Sequence, residues 1–174
     1  MHRSVLKSSL GVAAFVVVVD RLTKIWAEAN LELGISRVIV ENWLEFKLAY
    51  NPGAAFSFLT NATWVFTIIS SIAVIWISLN LKKIQHAGWA AAVGGVLGGA
   101  AGNLIDRFIG QPGFFVGHVV DFLHVPNIWL FQVFNLADAS LFVSVAVLMI
   151  MSLRGFNLDG TRETRTTKEV ETNE

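Results

Sequence analysis

The sequence predicts an integral membrane protein, mainly α-helical, with four transmembrane helices, a small outward-facing antiparallel β-sheet and an interfacial loop. Three observations predict it. The 174-residue chain is 54% hydrophobic and only 15% charged, against roughly 25% charge in an ordinary soluble domain. Its apolar residues are gathered into long blocks, so lipid rather than a globular core takes up most of the hydrophobic surface. Its positive charges cluster at the block ends in a pattern that gives an orientation.

The first block, about 5–26, starts beside Arg3 and Lys7 and resembles a secretory signal, with an apolar core from Leu10 to Val19 and a small-x-small site at Ala27-Glu28-Ala29. A retained helix fits better. Asp20, Arg21 and Lys24 stand between core and site, and apolar residues continue at helical spacing through Leu22, Ile25 and Trp26. Three further blocks, 64–81, 88–104 and 136–153, are each near the roughly 20 residues a helix needs to cross the hydrocarbon core.

Lys82 and Lys83 lie between the second and third blocks, and Arg154, Arg162, Arg165 and Lys168 follow the fourth. With Arg3 and Lys7, the positive-inside rule predicts that both termini are cytoplasmic. Residues 1–154 then form one membrane domain. The tail, 155–174, is polar with almost nothing to bury, and is predicted to be disordered.

The first outer loop, about 28–63, alternates apolar residues from Leu44 to Tyr50 after Val38-Ile39-Val40. This predicts a small antiparallel sheet beside the membrane, with Trp43, Phe46, Phe56 and Phe58 either anchoring it in the headgroups or packing on helix ends. Asn51-Pro52-Gly53-Ala54-Ala55-Phe56 reads as a turn whose small residues would admit a substrate backbone. The second outer loop, about 105–134, mixes Gly, Pro and aromatic residues and is expected to fold back on the bilayer surface.

Formal net charge is zero, which offers nothing to nucleic acid. The absence of cysteine excludes disulfides, a thiol nucleophile and thiolate metal sites. In the third span Gly94, Gly98 and Gly102 recur every four residues beside Gly95 and Gly99, a surface for close helix packing. It lacks the strand and the Lys-Ser/Thr of a phosphate loop. Asn61-Ala62-Thr63 matches a glycosylation acceptor, a pattern permissive enough to be chance.

The chemistry is sought in aspartates at the span boundaries: Asp20, Asp106, Asp121 and Asp138. An ionisable group at membrane depth costs about 2.5 to 3.5 kcal/mol on insertion scales, so each needs a partner or a purpose. Asp20 with Lys24, one helical turn on, and Asp106 with adjoining Arg107 read as structural ion pairs. Asp121, in Val119-Val120-Asp121-Phe122, has no cation nearby in sequence. Asp138 follows Asn135 by three residues, so Asn135 is a candidate cap and Asp138 a favourable charge at the start of the fourth span.

Capping explains Asp138 but leaves Asp121 unpaired on the same side of the membrane, and two such carboxylates suggest a dyad. Peptide hydrolysis by two acids needs them close enough to share a proton, one drawing a proton from water and the other protonating the carbonyl oxygen. The boundary supplies both water and a lipid-embedded substrate. His118, Asp121 and His124 invite a metal reading, but neither a helix nor a strand puts all three on one face. A cation-coupled transporter lacks support from any internal repeat or broken helix. A scaffold docking through the glycine-rich span would tolerate loss of both unpaired acids.

Five blocks taken together resemble the bacterial lipoprotein signal peptidase family, also called signal peptidase II. They are Asp20-Arg21-Leu22-Thr23-Lys24, Asn51-Pro52-Gly53-Ala54-Ala55-Phe56, Gly102-Asn103-Leu104-Ile105-Asp106-Arg107, Val119-Val120-Asp121-Phe122 and Phe134-Asn135-Leu136-Ala137-Asp138, in family order. The resemblance implies that Asp121 and Asp138 are the catalytic pair. It implies that Asn51, Gly53, Asn103, Asp106, Arg107, Asn135 and Ala137 shape or line the site, with Asp20 and Lys24 as support. It also implies an outer sheet cradling the substrate, an inner-membrane location, and cleavage of a prolipoprotein before its diacylglyceryl-modified cysteine. No metal, other cofactor or obligate protein partner is expected. Arg21 stands where the family more often has Gln.

Overall fold

The computed structural model describes residues 2–53, 63–128 and 133–162, with the side chains of residues 2 and 3 left aside. Phe56, Phe58, most of the glycosylation-like triplet, Arg165 and Lys168 lie outside the described residues.

Helix α1 (His2–Asn30) leads into strands β1 (Ser36–Val40) and β2 (Leu44–Asn51). Helix α2 (Thr63–Asn80), a short 3-10 turn (Leu81–Lys83), helix α3 (Ala87–Ile109), strand β3 (Val119–His124) and helix α4 (Leu136–Leu153) follow. Among the described residues, three helical stretches are long and apolar enough to cross a membrane: Thr63–Lys83, Ala87–Ile109 and Leu136–Leu153. In α1 the apolar run is shared with Lys7, Asp20, Arg21 and Lys24. Its 29 residues nonetheless extend about 43 Å at 1.5 Å per residue.

Glycine makes α3 the axis of the bundle. A methyl carbon at Gly98 would lie 2.8 Å from the Ala13 carbonyl oxygen of α1, and one at Gly99 would lie 2.5 Å from the Ala137 carbonyl oxygen of α4. The two columns therefore serve different neighbours, Gly94, Gly98 and Gly102 facing α1 and Gly95 and Gly99 facing α4. Removing Cβ lets backbones approach where lipid supplies no hydrophobic drive for association. α3 runs to Ile109, past the expected end at 104, so Asp106 and Arg107 belong to the helix.

The sheet has the order β1-β2-β3, antiparallel throughout. The first two strands form where the sequence places them, but β1 is exposed along its whole length and β2 is half-buried from Leu44 to Lys47, without alternating burial. The third comes from the second outer loop, where Asp121 stands opposite Ala49 and Val119 opposite Asn51. β3 is buried on both faces at Val119–Phe122, which accounts for the apolar residues at successive positions on either side of Asp121. Ala27, Leu48, Val120 and Phe122 form the core joining the sheet to α1. Phe46 packs edge-on against Trp26 with ring centroids 5.0 Å apart, whereas Trp43 stays 70% exposed.

At the opposite end Val5, Leu81, Ile84 and Ala90 form a second core, so the start of α1 and the α2–α3 connection share that end. Residues 155–162 differ from the expectation of disorder. Gln85 and His86 both donate backbone N–H to the Leu158 carbonyl, at 2.9 and 3.3 Å, and Phe156 lies 5.7 Å from the His86 ring. Phe156 and Leu158 supply the apolar contacts that make the polar stretch fold back.

Candidate active site

The acidic residues converge at the sheet end of the bundle. Asp121 arrives on β3, Asp138 on the first turn of α4, Asn103, Asp106 and Arg107 on the last two turns of α3, and Asp20, Arg21 and Lys24 on α1.

Asn135 organises the pair. Its side-chain oxygen accepts the Asp138 N–H at 2.9 Å, and the Asp138 carboxylate accepts the Asn135 N–H at 3.3 Å. This is a complete capping box, so the capping role expected for Asn135 and Asp138 is present. The Asn135 amide remains available and donates to Asp121 Oδ1 at 2.6 Å. One side chain therefore starts α4 and joins both acids. The other carboxylate oxygens are also held: Asn51 donates to Asp121 Oδ2 at 3.0 Å, and Asn103 donates to Asp138 Oδ1 at 2.7 Å.

Asp121 is 2% exposed. Burial, then the adjacent Asp138 charge, push its carboxyl from the ordinary 3.8 up to about 7, against the opposing donors Asn51 and Asn135. A buried acid that holds its proton near neutrality is equipped to donate one.

Beneath the pair lies an ion cluster. Lys24 Nζ is 2.8 Å from Asp20 Oδ2 and 2.7 Å from Asp106 Oδ2, and donates to Asn103 Oδ1 at 3.0 Å. The Asp20–Lys24 pair is as expected. The Asp106–Arg107 pair is not: Asp106 instead meets Lys24 and Arg21, the latter at 3.1 Å. Neighbours on a helix point in different directions, whereas residues from a packed helix can meet face to face. Arg21, the departure from the usual family residue, thus acquires a partner that its own segment does not reveal.

The cluster also fixes backbone. Asp20 Oδ1 accepts the Ala137 N–H at 2.9 Å, and Asp106 Oδ2 accepts the Val120 N–H at 3.2 Å. Ala137 and Val120 directly precede Asp138 and Asp121, so α1 and α3 position both acids through main chain. Helix starts leave N–H groups that need such acceptors.

Gly53 closes an Asx turn, donating its N–H to Asn51 Oδ1 at 2.8 Å, with φ +94°, a region that favours glycine. A methyl carbon there would lie 2.5 Å from Phe66 Cδ2, so the small residue admits an aromatic ring of α2. Arg107 stacks over the same ring at 5.6 Å. Its Nε and Nη1 are buried with no hydrogen-bond partner among the described residues. His124 is drawn away to Glu45 of β2, Nδ1 to Oε2 3.0 Å. Phe66 and Arg21 were missed as site residues. Arg21 was signalled by its charge inside an apolar span, Phe66 by nothing in its surroundings.

A family model described as signal peptidase (SPase) II matches residues 12–154. The chain is 38% identical over 152 residues to a lipoprotein signal peptidase of Leifsonia xyli, covering 87% of this chain and 69% of that one. It is 41% identical over 152 residues to one of Rhodococcus jostii, covering 87% and 75%. Among solved structures, a bacterial membrane enzyme determined by the in meso method at 1.9 Å resolution superposes with a TM-score of 0.75 at 30% identity, over 85% of this chain and 94% of that one.

Proposed function

The chain belongs to the signal peptidase II family, whose members are membrane aspartic peptidases that remove signal peptides from prolipoproteins, and we propose that Asp121 and Asp138 are its catalytic pair. The observation that carries this assignment is Asn135, which binds Asp121 through its amide and Asp138 through its cap.

In the proposed reaction Asp138 takes a proton from water as the water oxygen attacks the scissile carbonyl, and Asp121 gives its proton to the carbonyl oxygen. The tetrahedral intermediate collapses as Asp138 passes the proton it took from water to the amide nitrogen, the C–N bond breaks, and Asp121 recovers a proton from a hydroxyl of the intermediate. The products are a signal peptide ending in a carboxylate and a chain beginning with the lipid-bearing cysteine. The raised affinity of Asp121 for its proton supports giving it the acid role.

The remaining residues hold this geometry. Asn51, Asn103 and Asn135 orient the carboxylates; Asp20, Lys24 and Asp106 anchor Ala137, Asn103 and Val120; Gly53 sets the turn beside β2. Arg107, whose Nε and Nη1 have no hydrogen-bond partner among the described residues, offers them to a substrate carbonyl.

We read 1–154 as one domain of four spans, α1 being the fourth. Its charges do not oppose this, because Asp20, Lys24 and Arg21 neutralise one another and Asp106 within the protein. With Lys82, Lys83 and Arg154 at the other end, both termini lie in the cytoplasm and the dyad at the outer boundary of the inner membrane. The substrate's diacylglyceryl group stays in lipid there and presents the bond before its cysteine.

The test is turnover of a diacylglyceryl-modified precursor peptide by the purified chain, beside the unlipidated peptide. Cleavage before the modified cysteine alone, abolished in both Asp121→Asn and Asp138→Asn, is expected. Full turnover by either variant overturns the assignment.

A further inference from the structure

Far from the dyad, at the end shared by the start of α1 and the α2–α3 connection, a cavity of about 470 Å³ lies between α2 and α4. Trp76 and Ile77 of α2, Val93 and Val96 of α3, Leu148 of α4 and Leu158 of the fold-back line it. Its wall is nearly all apolar, and Trp76 is 65% exposed at its edge, so the groove faces the surrounding lipid. Lys83 is the cation among its lining residues.

The setting is positive. Lys82 adjoins Lys83, and Arg162 donates from Nε to the Arg154 carbonyl at 3.3 Å while its guanidinium lies 5.2 Å over Phe156. Phe156 in turn meets His86, two residues beyond Ile84 of the groove wall. Among the described residues of this end the acidic side chain is Asp159, already occupied by the Thr161 N–H at 2.8 Å and hydroxyl at 2.7 Å.

Two long apolar occupants suit such a groove, the signal helix of a substrate and the acyl chain of a lipid. Charge separates them. A signal peptide carries its cationic segment at the cytoplasmic end, where Lys82, Lys83, Arg154 and Arg162 would repel it. A phospholipid phosphate is attracted by the same residues. We propose that the groove holds one acyl chain of an anionic phospholipid, with its phosphate beside Lys83. The leaflet and the exclusion of the signal helix follow from the topology proposed above; the preference for an anionic over a neutral headgroup rests on the cations alone and not on the dyad.

The experiment uses the full chain purified in neutral detergent and titrated with phosphatidylglycerol or phosphatidylcholine of identical chains, bound lipid being counted by native mass spectrometry. One phosphatidylglycerol per chain is expected, held more tightly than phosphatidylcholine. Lys83→Gln, an exposed change, should weaken phosphatidylglycerol about fivefold and leave phosphatidylcholine unchanged. Val96→Trp, filling the groove, should lose both lipids with helicity intact. Lys47→Gln on the outer sheet should change neither. Equal retention of the two lipids, or Lys83→Gln indistinguishable from the parent, overturns the proposal. So does thermal stabilisation by inorganic phosphate alone, because the groove would then play no part. Should Val96→Trp fail to fold, Lys83→Gln decides the matter alone.

Discussion

Asn135 and Asp121, brought together from the start of α4 and the middle of β3, meet at 2.6 Å through an amide donor and a carboxylate acceptor. The same asparagine accepts the Asp138 N–H, so helix capping and dyad assembly share one side chain.

The two roles separate in Asn135→Asp. Aspartate caps a helix about as well as asparagine, but it has no amide to give Asp121 and adds a third carboxylate. Helicity should survive while kcat/KM falls at least tenfold, the loss expected of one charged-group hydrogen bond of about 1.5 to 3 kcal/mol. Circular dichroism beside peptide turnover reads both. Retained turnover would remove Asn135 from the site.

Activity should decline as pH rises through about 7, where Asp121 loses the proton it is proposed to donate. Its lower limb belongs to the coupled pair. A rate profile still climbing well above neutrality is the adverse result.

Stability should carry the same signature. The folded Asp121 binds its proton more tightly than the unfolded one, so its contribution falls as pH rises from 3.8 to about 7 and is level above that. Asp121→Asn removes the slope, which amounts to at most about 1.4 kcal/mol per pH unit. Melting of the variant relative to the parent should therefore improve between pH 5 and pH 8, whatever its activity.

Lys24→Met leaves Asp20 and part of Asp106 without their buried cation, a loss of about 3 to 5 kcal/mol. Adding Asp20→Asn should restore part of the melting temperature. No recovery in the double variant would mean that Lys24 acts through packing.

Gly99→Ala places a methyl against the Ala137 carbonyl, pressing on the residue before Asp138. Overpacking of this kind costs about 1 to 3 kcal/mol, and turnover should fall further than stability predicts because Asp138 moves relative to Asn103. Gly11→Ala, where nothing lies within 4 Å, is the matched control.

The motifs containing Asp121 and Asp138 were legible in the chain, as were the long apolar runs, the alternation of β2 and the Asn135 cap, because each is a pattern of near neighbours obeying a helical or strand period. Their partners were not. Arg21 meets Asp106 across 85 positions, Lys24 meets Asn103 across 79, and Asn51 meets Asp121 across 70. The adjoining Asp106 and Arg107 misled for the same reason, since adjacency in sequence is divergence on a helix. Tertiary structure also made Val119–His124 a third strand, divided the glycines of α3 between α1 and α4, and folded 155–162 back on the α2–α3 connection. Local periodicity determines which elements form, whereas burial of charge determines which of them must meet, because a buried ion is tolerated only where a distant side chain or main-chain group completes it.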